Sequence, residues 1–190
     1  LLGCGSWGST LAQILAKKGE TVYAWHYRKD FVDSINVSRV NPLLPNIILD
    51  NKISFYHNIN DVLNGSEILI LSVPSSAMRE TLEKISNNIH PNIKIVNTSK
   101  GFELKTLMSM SEIIMETLNI NDDQIITFYG PSHSEEVIKN LPTAMVSACA
   151  NENNSKIIQN LFSTENLRIY TSKDTRGVEI GGSLKNVIAI

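Results

Sequence analysis

Two lysines in this sequence stand where an amine would have a chemical task. Lys185 is the only cation of the closing stretch GVEIGGSLKNVIAI, and it lies among glycines and aliphatic residues. Because burial of an unpaired ammonium is costly, such a lysine either extends to solvent from an amphipathic helix or acts on a ligand. A lysine ammonium can polarise a carbonyl oxygen and supply a proton to it. Lys100 lies just beyond the end of a predicted strand at 94–98, where open α/β sheets hold their ligands.

A glycine-rich loop, GCGSWG, opens the sequence and places Gly3, Gly5 and Gly8 at G-x-G-x-x-G spacing. It follows two leucines that resemble the end of a strand, and it begins an amphipathic helix, which is the context that this motif requires. The first glycine permits a tight turn, the second lets a pyrophosphate approach the main chain, and the third lets helix and strand pack closely. Free N–H groups at the helix start would bind the phosphates. Ser6 and Trp7, at the loop tip, are predicted to contact the dinucleotide.

The end of the predicted strand 21–25, the first strand after the glycine loop, indicates which dinucleotide is favoured. An acidic residue usually stands there to bind the ribose 2′-hydroxyl of NAD. Here Tyr27 is followed by Arg28 and Lys29, and the first acid is Asp30. We assign Tyr27 and Arg28 to the cofactor site and predict a preference for NADP(H), with NAD(H) as the alternative, because cations suit a 2′-phosphate. In the other interpretation, Arg28 and Lys29 are solvated residues that begin the next helix.

These residues need a scaffold, and the apolar pattern predicts one that alternates strands with helices. Leu11, Ile14 and Leu15 share one face of a helix that stops at a Lys-Lys-Gly signal. Alternation of this kind is typical of an α/β, Rossmann-like, doubly wound and mainly parallel sheet. The predicted strands are 21–25, 52–55, 67–73, 94–98, 124–129, 143–149 and 167–171.

Composition argues against several classes of protein. The 190 residues are 42% hydrophobic and 19% charged, with a net charge of −2, which gives no indication of a nucleic-acid partner. No apolar run approaches the ~20 residues of a membrane span. Cys4 and Cys149 have no metal-ligand spacing, so no metal is predicted. Without a signal peptide, a cytoplasmic protein with free thiols is expected.

Five motifs together resemble the bacterial glycerol-3-phosphate dehydrogenase family. They keep the family's order from the first residue to the last: GCGSWGSTLA, VPS at 73–75, TSKG at 98–101, GPSHSEE at 130–136 and GGSLKNVIAI at 181–190. The resemblance implies an enzyme that interconverts dihydroxyacetone phosphate and sn-glycerol 3-phosphate by hydride transfer with NAD(P)(H). It also implies that the product supplies phospholipid synthesis.

The same resemblance implies roles for individual residues. The lysine of the family's closing motif acts on the substrate oxygen, which maps onto Lys185. The lysine of TSKG lies between cofactor and substrate, which maps onto Lys100. The GPS turn lines the site of the phosphate substrate, which maps onto Gly130 and Ser132, with Ser134 near the cofactor.

Ser132 has a second interpretation from the residues alone. With Glu135 it forms an S-x-x-E pattern, which predicts a capping box at the start of a helix. Substrate contact and helix capping therefore both stay open for this serine.

The pattern changes after residue 173. Residues 1–173 are predicted to form the dinucleotide-binding domain, and residues 174–190 to begin an all-helical substrate domain. We interpret the chain as truncated at both ends. The resemblance places a phosphate-binding arginine, and a homodimer interface, in the absent part, so this chain alone is expected to bind dinucleotide without turnover.

Two other functions remain open on the sequence. An NADP-dependent hydroxyacid or ketopantoate-type reductase also pairs a Rossmann domain with a helix-borne lysine, although TSKG and GPSHSEE speak against it. A dinucleotide-binding module without catalysis is the other, although such a module needs neither Lys100 nor Lys185.

Overall fold

The computed structural model describes residues 1–188, with side chains to residue 185, and strands and helices alternate along that range. The strands are β1 (Val22–Trp25), β2 (Ile53–Tyr56), β3 (Ile68–Leu71), β4 (Lys94–Asn97), β5 (Ile125–Tyr129), β6 (Thr143–Ala148) and β7 (Leu167–Ser172). The helices are α1 (Ser6–Lys17), α2 (Lys29–Ser38), α3 (Met78–Glu83), α4 (Met110–Leu118), α5 (Ser134–Ile138), α6 (Glu152–Phe162) and α7 (Thr175–Ile188), with 3₁₀ turns at Ile59–Val62, Ser75–Ala77 and Asp122–Gln124. Each predicted strand is confirmed, with ends that differ by at most two residues.

The N-terminal leucines complete the middle of the sheet. Leu2 pairs in parallel with Trp25 of β1 and with Leu71 of β3, so the order is β2-β1-Leu2-β3-β4-β5-β6-β7. The paired strands are parallel except for β5 and β6. The predicted doubly wound, mainly parallel sheet is therefore confirmed. The direction of strand order reverses beside Leu2, which places the glycine loop at the switch point where such sheets bind ligands.

Both faces of the sheet are covered, which explains why its strands are continuous apolar runs. Neighbouring residues along a strand point to opposite faces. Ile70 and Val96 join the apolar layer that includes residues of α1 and α6, whereas Leu69 and Ile95 join the layer that includes residues of α3 and α4. The sheet is thus fixed from both sides, and its carboxyl edge is a rigid platform for side chains.

The ends of the helices follow local signals. Helix α1 stops at Lys17, and Gly19 follows in the left-handed conformation with φ of +104°, as its Lys-Lys-Gly signal predicts. Helix α7 begins at Thr175, and the alternating pattern was predicted to end after residue 173. At the start of this helix, the Asp174 carboxylate accepts a hydrogen bond from the Gly177 amide at 2.8 Å. Among residues 1–188, no helix has the length and apolar character needed to cross a membrane.

Candidate functional site

The three glycines of the first loop are required for three different reasons. Gly3 has φ of +98°, and a Cβ there would lie 2.5 Å from the Ser72 carbonyl oxygen. A Cβ at Gly8 would lie 1.9 Å from the Gly3 carbonyl oxygen, so only glycine lets α1 pack this closely on the loop. Gly5 precedes the first residue of α1, and a Cβ there would meet nothing within 4 Å. The space at Gly5 is therefore open to a ligand, beside the free N–H groups of the helix start.

A cavity of about 740 Å³ opens in front of this loop, a volume suited to a small-molecule cofactor. Most of the predicted cofactor residues line it, namely Gly3, Gly5, Ser6, Trp7, Gly8 and Tyr27. Glu80 of α3 and Lys84, which follows the last residue of that helix, line it as well, and they form an ion pair at 2.6 Å. The cavity lies at the switch point of the sheet, which is where sheets of this kind bind nucleotide ligands.

Arg28 is not among the residues that line this cavity. Its guanidinium pairs with the Asp30 carboxylate, and the Lys29 ammonium pairs with Asp33 at 2.9 Å. All four side chains are largely exposed. Arg28 also precedes the first residue of α2, where its main chain donates to Nδ1 of His26 at 3.2 Å. The two cations therefore lie at the start of a helix, each already paired with a carboxylate.

A second cavity, of about 290 Å³, adjoins the first. It brings together three predicted residues, Lys100, Ser132 and Ser134. Trp7 and Thr98 line both cavities, so the two share a wall. A ligand in the smaller cavity would thus lie next to a ligand in the larger one.

The ammonium of Lys100 is held at the edge of the smaller cavity. Its Nζ donates to the carbonyl oxygen of Gly130 at 2.7 Å and lies 5.7 Å from the ring centroid of Tyr129. Burial lowers the pKa of Lys100, and the nearby charge of Lys185 lowers it further. Lys185 is partly buried on α7. Residues from three separate parts of the chain thus place two amines close enough to influence each other.

Helix α7 is fixed to the rest of the fold at successive turns. The Glu179 carboxylate is 3% exposed and accepts hydrogen bonds from the Ser111 amide at 3.0 Å and from its hydroxyl at 2.6 Å. The Ser183 hydroxyl accepts from the amide of Gly101 at 3.1 Å. A Cβ at Gly182 would lie 2.5 Å from the aromatic ring at the end of β5. These contacts determine where α7 presents Lys185.

The predicted capping box at Ser132 is wrong. Helix α5 begins at Ser134, and its N-cap is His133, which makes no side-chain capping bond. His133 has extended dihedral angles of −109° and 135°, so the first turn starts one residue too late for Ser132 to reach the N3 amide. Ser132 instead lines the smaller cavity.

Sequence reasoning missed several residues around the two cavities. Glu80, Thr81 and Lys84 follow the VPS segment at helical spacing, and that spacing was the available signal. Glu179 is a lone acid in an apolar stretch, and such a residue needs a buried partner. Tyr129 is a polar aromatic at the last position of a buried strand.

Comparison with known proteins agrees with this arrangement. The family profile described as "NAD-dependent glycerol-3-phosphate dehydrogenase N-terminus" matches residues 1–155. A glycerol-3-phosphate dehydrogenase [NAD(P)+] of Fusobacterium nucleatum is 40% identical over 191 residues, which cover 100% of this chain and 57% of that protein. One of Geobacter sulfurreducens is 40% identical over 192 residues with the same coverage.

A solved structure gives the same result. The crystal structure of glycerol-3-phosphate dehydrogenase from Coxiella burnetii superposes with a TM-score of 0.93 at 33% identity, over 99% of this chain and 57% of that one. The chain thus spans somewhat more than half the length of the relatives that it matches. It belongs to the glycerol-3-phosphate dehydrogenase family whose N-terminal region the matching profile describes.

Proposed function

We propose that the protein is an oxidoreductase that interconverts dihydroxyacetone phosphate and sn-glycerol 3-phosphate with a nicotinamide dinucleotide. The observation that carries the proposal is the position of Lys100, which lines a cavity that adjoins the glycine-loop cavity and is followed by Gly101, whose amide donates to Ser183 on the helix that carries Lys185. A binding module needs only the glycine loop. An amine in the adjoining cavity, with a second amine near enough for its charge to act on the first, is suited to chemistry on an anionic, carbonyl-containing substrate.

The residues present fit the cofactor. Gly5 leaves open space where a pyrophosphate would approach, and the N-terminus of α1 supplies N–H donors there. Tyr27, which is 66% exposed, stacks on His26 with ring centroids 4.8 Å apart at the outer end of the cavity. A bound nicotinamide dinucleotide would supply the hydride in one direction and accept it in the other.

The preferred cofactor in this proposal is NADP(H), with NAD(H) also accepted. Support comes from Arg28 and Lys29 and from the absence of an acid between Trp25 and Lys29. Arg28 would have to exchange Asp30 for the 2′-phosphate. Both side chains are more than half exposed, and exposed ion pairs are weakly held, so this exchange costs little.

Lys185 would act on the substrate oxygen in this mechanism. When hydride reaches the C2 carbonyl carbon, negative charge develops on that oxygen, and the ammonium of Lys185 stabilises it and transfers a proton to it. In the oxidative direction the amine takes the proton from the C2 hydroxyl while hydride leaves the same carbon.

Lys100 would hold the substrate rather than exchange protons. Its ammonium is anchored on the Gly130 carbonyl, and its partial burial leaves it poorly solvated, so an anion can replace the missing water. Ser132 lines the same cavity and offers a hydroxyl to the phosphate end of the substrate. The buried serine Ser134 begins α5 beside Trp7, near the proposed nicotinamide end of the cofactor.

The proposed domain division follows from these roles. Residues 1–173 hold the dinucleotide, and α7 opens a helical unit that brings Lys185 to the substrate. Further phosphate contacts, and the contacts of a homodimer, would belong to that unit, and the product would feed phospholipid synthesis.

The test is an assay of the complete protein that contains this chain. Oxidation of NADPH and of NADH is followed by absorbance with dihydroxyacetone phosphate as substrate, and ketopantoate and a 3-oxoacid serve as controls. We expect turnover with dihydroxyacetone phosphate alone. Turnover with ketopantoate instead would indicate the other class of reductase, and dinucleotide binding without any turnover would indicate a module without catalysis.

A further inference from the structure

Tyr129 supports Lys100 but takes no part in the chemistry proposed above. It is the last residue of β5, and 2% of it is exposed. Its ring lies beneath the Lys100 ammonium, 5.7 Å from Nζ to the centroid, and the next carbonyl along the chain, that of Gly130, accepts the hydrogen bond from Nζ. Lys100 therefore rests on the ring and on the main chain of the same short segment.

The same ring contacts α7 on another edge. A Cβ at Gly182 would lie 2.5 Å from Cδ2 and 3.2 Å from Cε2 of Tyr129. The helix main chain thus approaches the ring as closely as a glycine allows. Tyr129 thus contacts both Lys100 and the helix that carries Lys185, so its ring lies between the Lys100 ammonium and the main chain of α7.

The hydroxyl of Tyr129 fixes the ring in this position. It accepts a hydrogen bond from Nδ2 of Asn97 at 2.9 Å and donates one to the carbonyl of Ser99. Oδ1 of Asn97 in turn accepts from the Ser99 amide at 3.0 Å, which closes a buried network around the residue that precedes Lys100. Burial raises the pKa of Tyr129, and the Glu179 carboxylate raises it further, so the hydroxyl stays protonated and committed to Ser99.

We infer that Tyr129 is a positioning residue whose ring, fixed by its hydroxyl, determines where the Lys100 ammonium lies relative to α7 and Lys185. The face of an aromatic ring attracts a cation and also excludes water from one side of it. The placement of the ammonium follows from its contacts with Tyr129 and Gly130. Only its consequence for turnover rests on the proposed function.

Tyr129→Leu tests the inference because it removes the ring but keeps an apolar side chain. In the complete protein, we expect kcat with dihydroxyacetone phosphate to fall about ten-fold or more, since small misplacements of reacting groups have effects of that size. The dissociation constant for the dinucleotide should stay within about two-fold of the original value, because Tyr129 does not line the larger cavity.

A second readout needs no activity. Lysines carrying isotope-labelled methyl groups are titrated by NMR, and a Lys100→Arg variant identifies the Lys100 signal. Burial is the main cause of its lowered pKa, so Tyr129→Leu, which admits water, should move the titration of Lys100 to higher pH.

Two further variants separate positioning from general damage. Phe128→Leu truncates a buried aromatic of the same strand, which packs on Phe162 with centroids 4.8 Å apart in an apolar layer that does not include Tyr129. It should leave the titration of Lys100 unchanged. Tyr129→Phe keeps the ring but leaves the Ser99 carbonyl without its donor. Its kcat should therefore lie between that of the original protein and that of Tyr129→Leu.

The outcomes can be told apart. If Tyr129→Leu leaves both kcat and the Lys100 titration unchanged, or if Phe128→Leu shifts that titration equally, the inference is overturned. If turnover falls as much in Tyr129→Phe as in Tyr129→Leu, the inference is also overturned. That result would indicate that the hydroxyl, and not the ring, has the essential role, as a proton donor. If the original protein shows no turnover but the titration shifts as expected, the proposed function fails and the positioning of Lys100 stands.

Discussion

The glycine loop and the lysine pair lie side by side at the carboxyl edge of the sheet, yet they are built in opposite ways. The loop acts through its main chain, and Gly3, Gly5 and Gly8 are neighbours in sequence. The lysine pair acts through side chains, and Lys100 and Lys185 come from a loop after β4 and from the last helix.

The difference indicates how each region should fail when it is altered. The loop depends on the absence of side chains, so an added methyl group has a steric cost that the fold or the cofactor must bear. The lysine pair depends on charge, on partial burial and on the contacts that fix α7 to the rest of the fold. Alteration of either lysine should therefore reduce turnover and leave the fold intact. The following predictions would break or sharpen this contrast, and they run from the largest expected effect to the smallest.

Lys185→Met should have the largest effect. If the ammonium stabilises the developing alkoxide, kcat of the complete protein should fall about a hundred-fold or more, since loss of one such donor costs about 2.7–4 kcal/mol. Dinucleotide affinity should hardly change, because the glycine loop is untouched. Steady-state kinetics and a fluorescence titration measure the two quantities.

The control for this variant is Lys173→Met. Lys173 is an exposed lysine that lies just before α7 and pairs with Glu152. It should leave kcat unchanged. A kcat of Lys185→Met within about three-fold of the original would mean that Lys185 only extends to solvent.

Gly8→Ala and Gly5→Ala should separate the two uses of the loop. The new Cβ of Gly8→Ala would lie 1.9 Å from a carbonyl oxygen, so we expect a loss of about 1–3 kcal/mol in the free energy of unfolding. The Cβ of Gly5→Ala meets nothing, so stability should be kept while dinucleotide affinity falls. Urea unfolding and cofactor titration check both, and equal stability of the two variants would contradict the steric argument.

Arg28→Ala tests the cofactor preference. We expect NADPH to bind about five-fold more weakly, which corresponds to the largest free energy usual for an exposed charge pair. The affinity for NADH should stay the same. Arg168→Ala, an exposed arginine of β7, is the matched control and should change neither affinity. Tighter binding of NADH than of NADPH by the original protein would end the proposed preference.

Lys100 should make a small, pH-dependent contribution to stability. Its pKa is lowered in the fold by burial and by Lys185, so between the lowered and the ordinary pKa the unfolded chain binds more protons than the folded one. The free energy of unfolding should therefore rise with pH in that window. Lys100→Met should lack this component, so urea unfolding of both proteins at about pH 7 and about pH 10 isolates it. A difference between the two proteins that does not change with pH would contradict this assignment.

Prediction of helix ends from the sequence succeeded where the neighbouring chain had the conformation that the local signal needs, and failed where it did not. The Lys-Lys-Gly stop of α1 needs only its own turn, and it ends that helix as expected. The S-x-x-E pattern at Ser132 is equally local, but the extended conformation of His133 delays the start of α5 by one residue. A capping pattern predicts a helix start only if the preceding chain delivers its serine in the right conformation.

By itself, the sequence determined the order of strands and helices and the place of the glycine loop, because apolar periodicity and glycine spacing are properties of neighbouring residues. Only the tertiary structure decided that Tyr129 lies between Lys100 and α7, that Glu179 finds Ser111, and that Arg28 is paired with Asp30. The physical reason is that burial and ion pairing depend on distances between segments far apart in the chain or on the choice among several side-chain partners. Packing fixes those distances and partners once the sheet has formed.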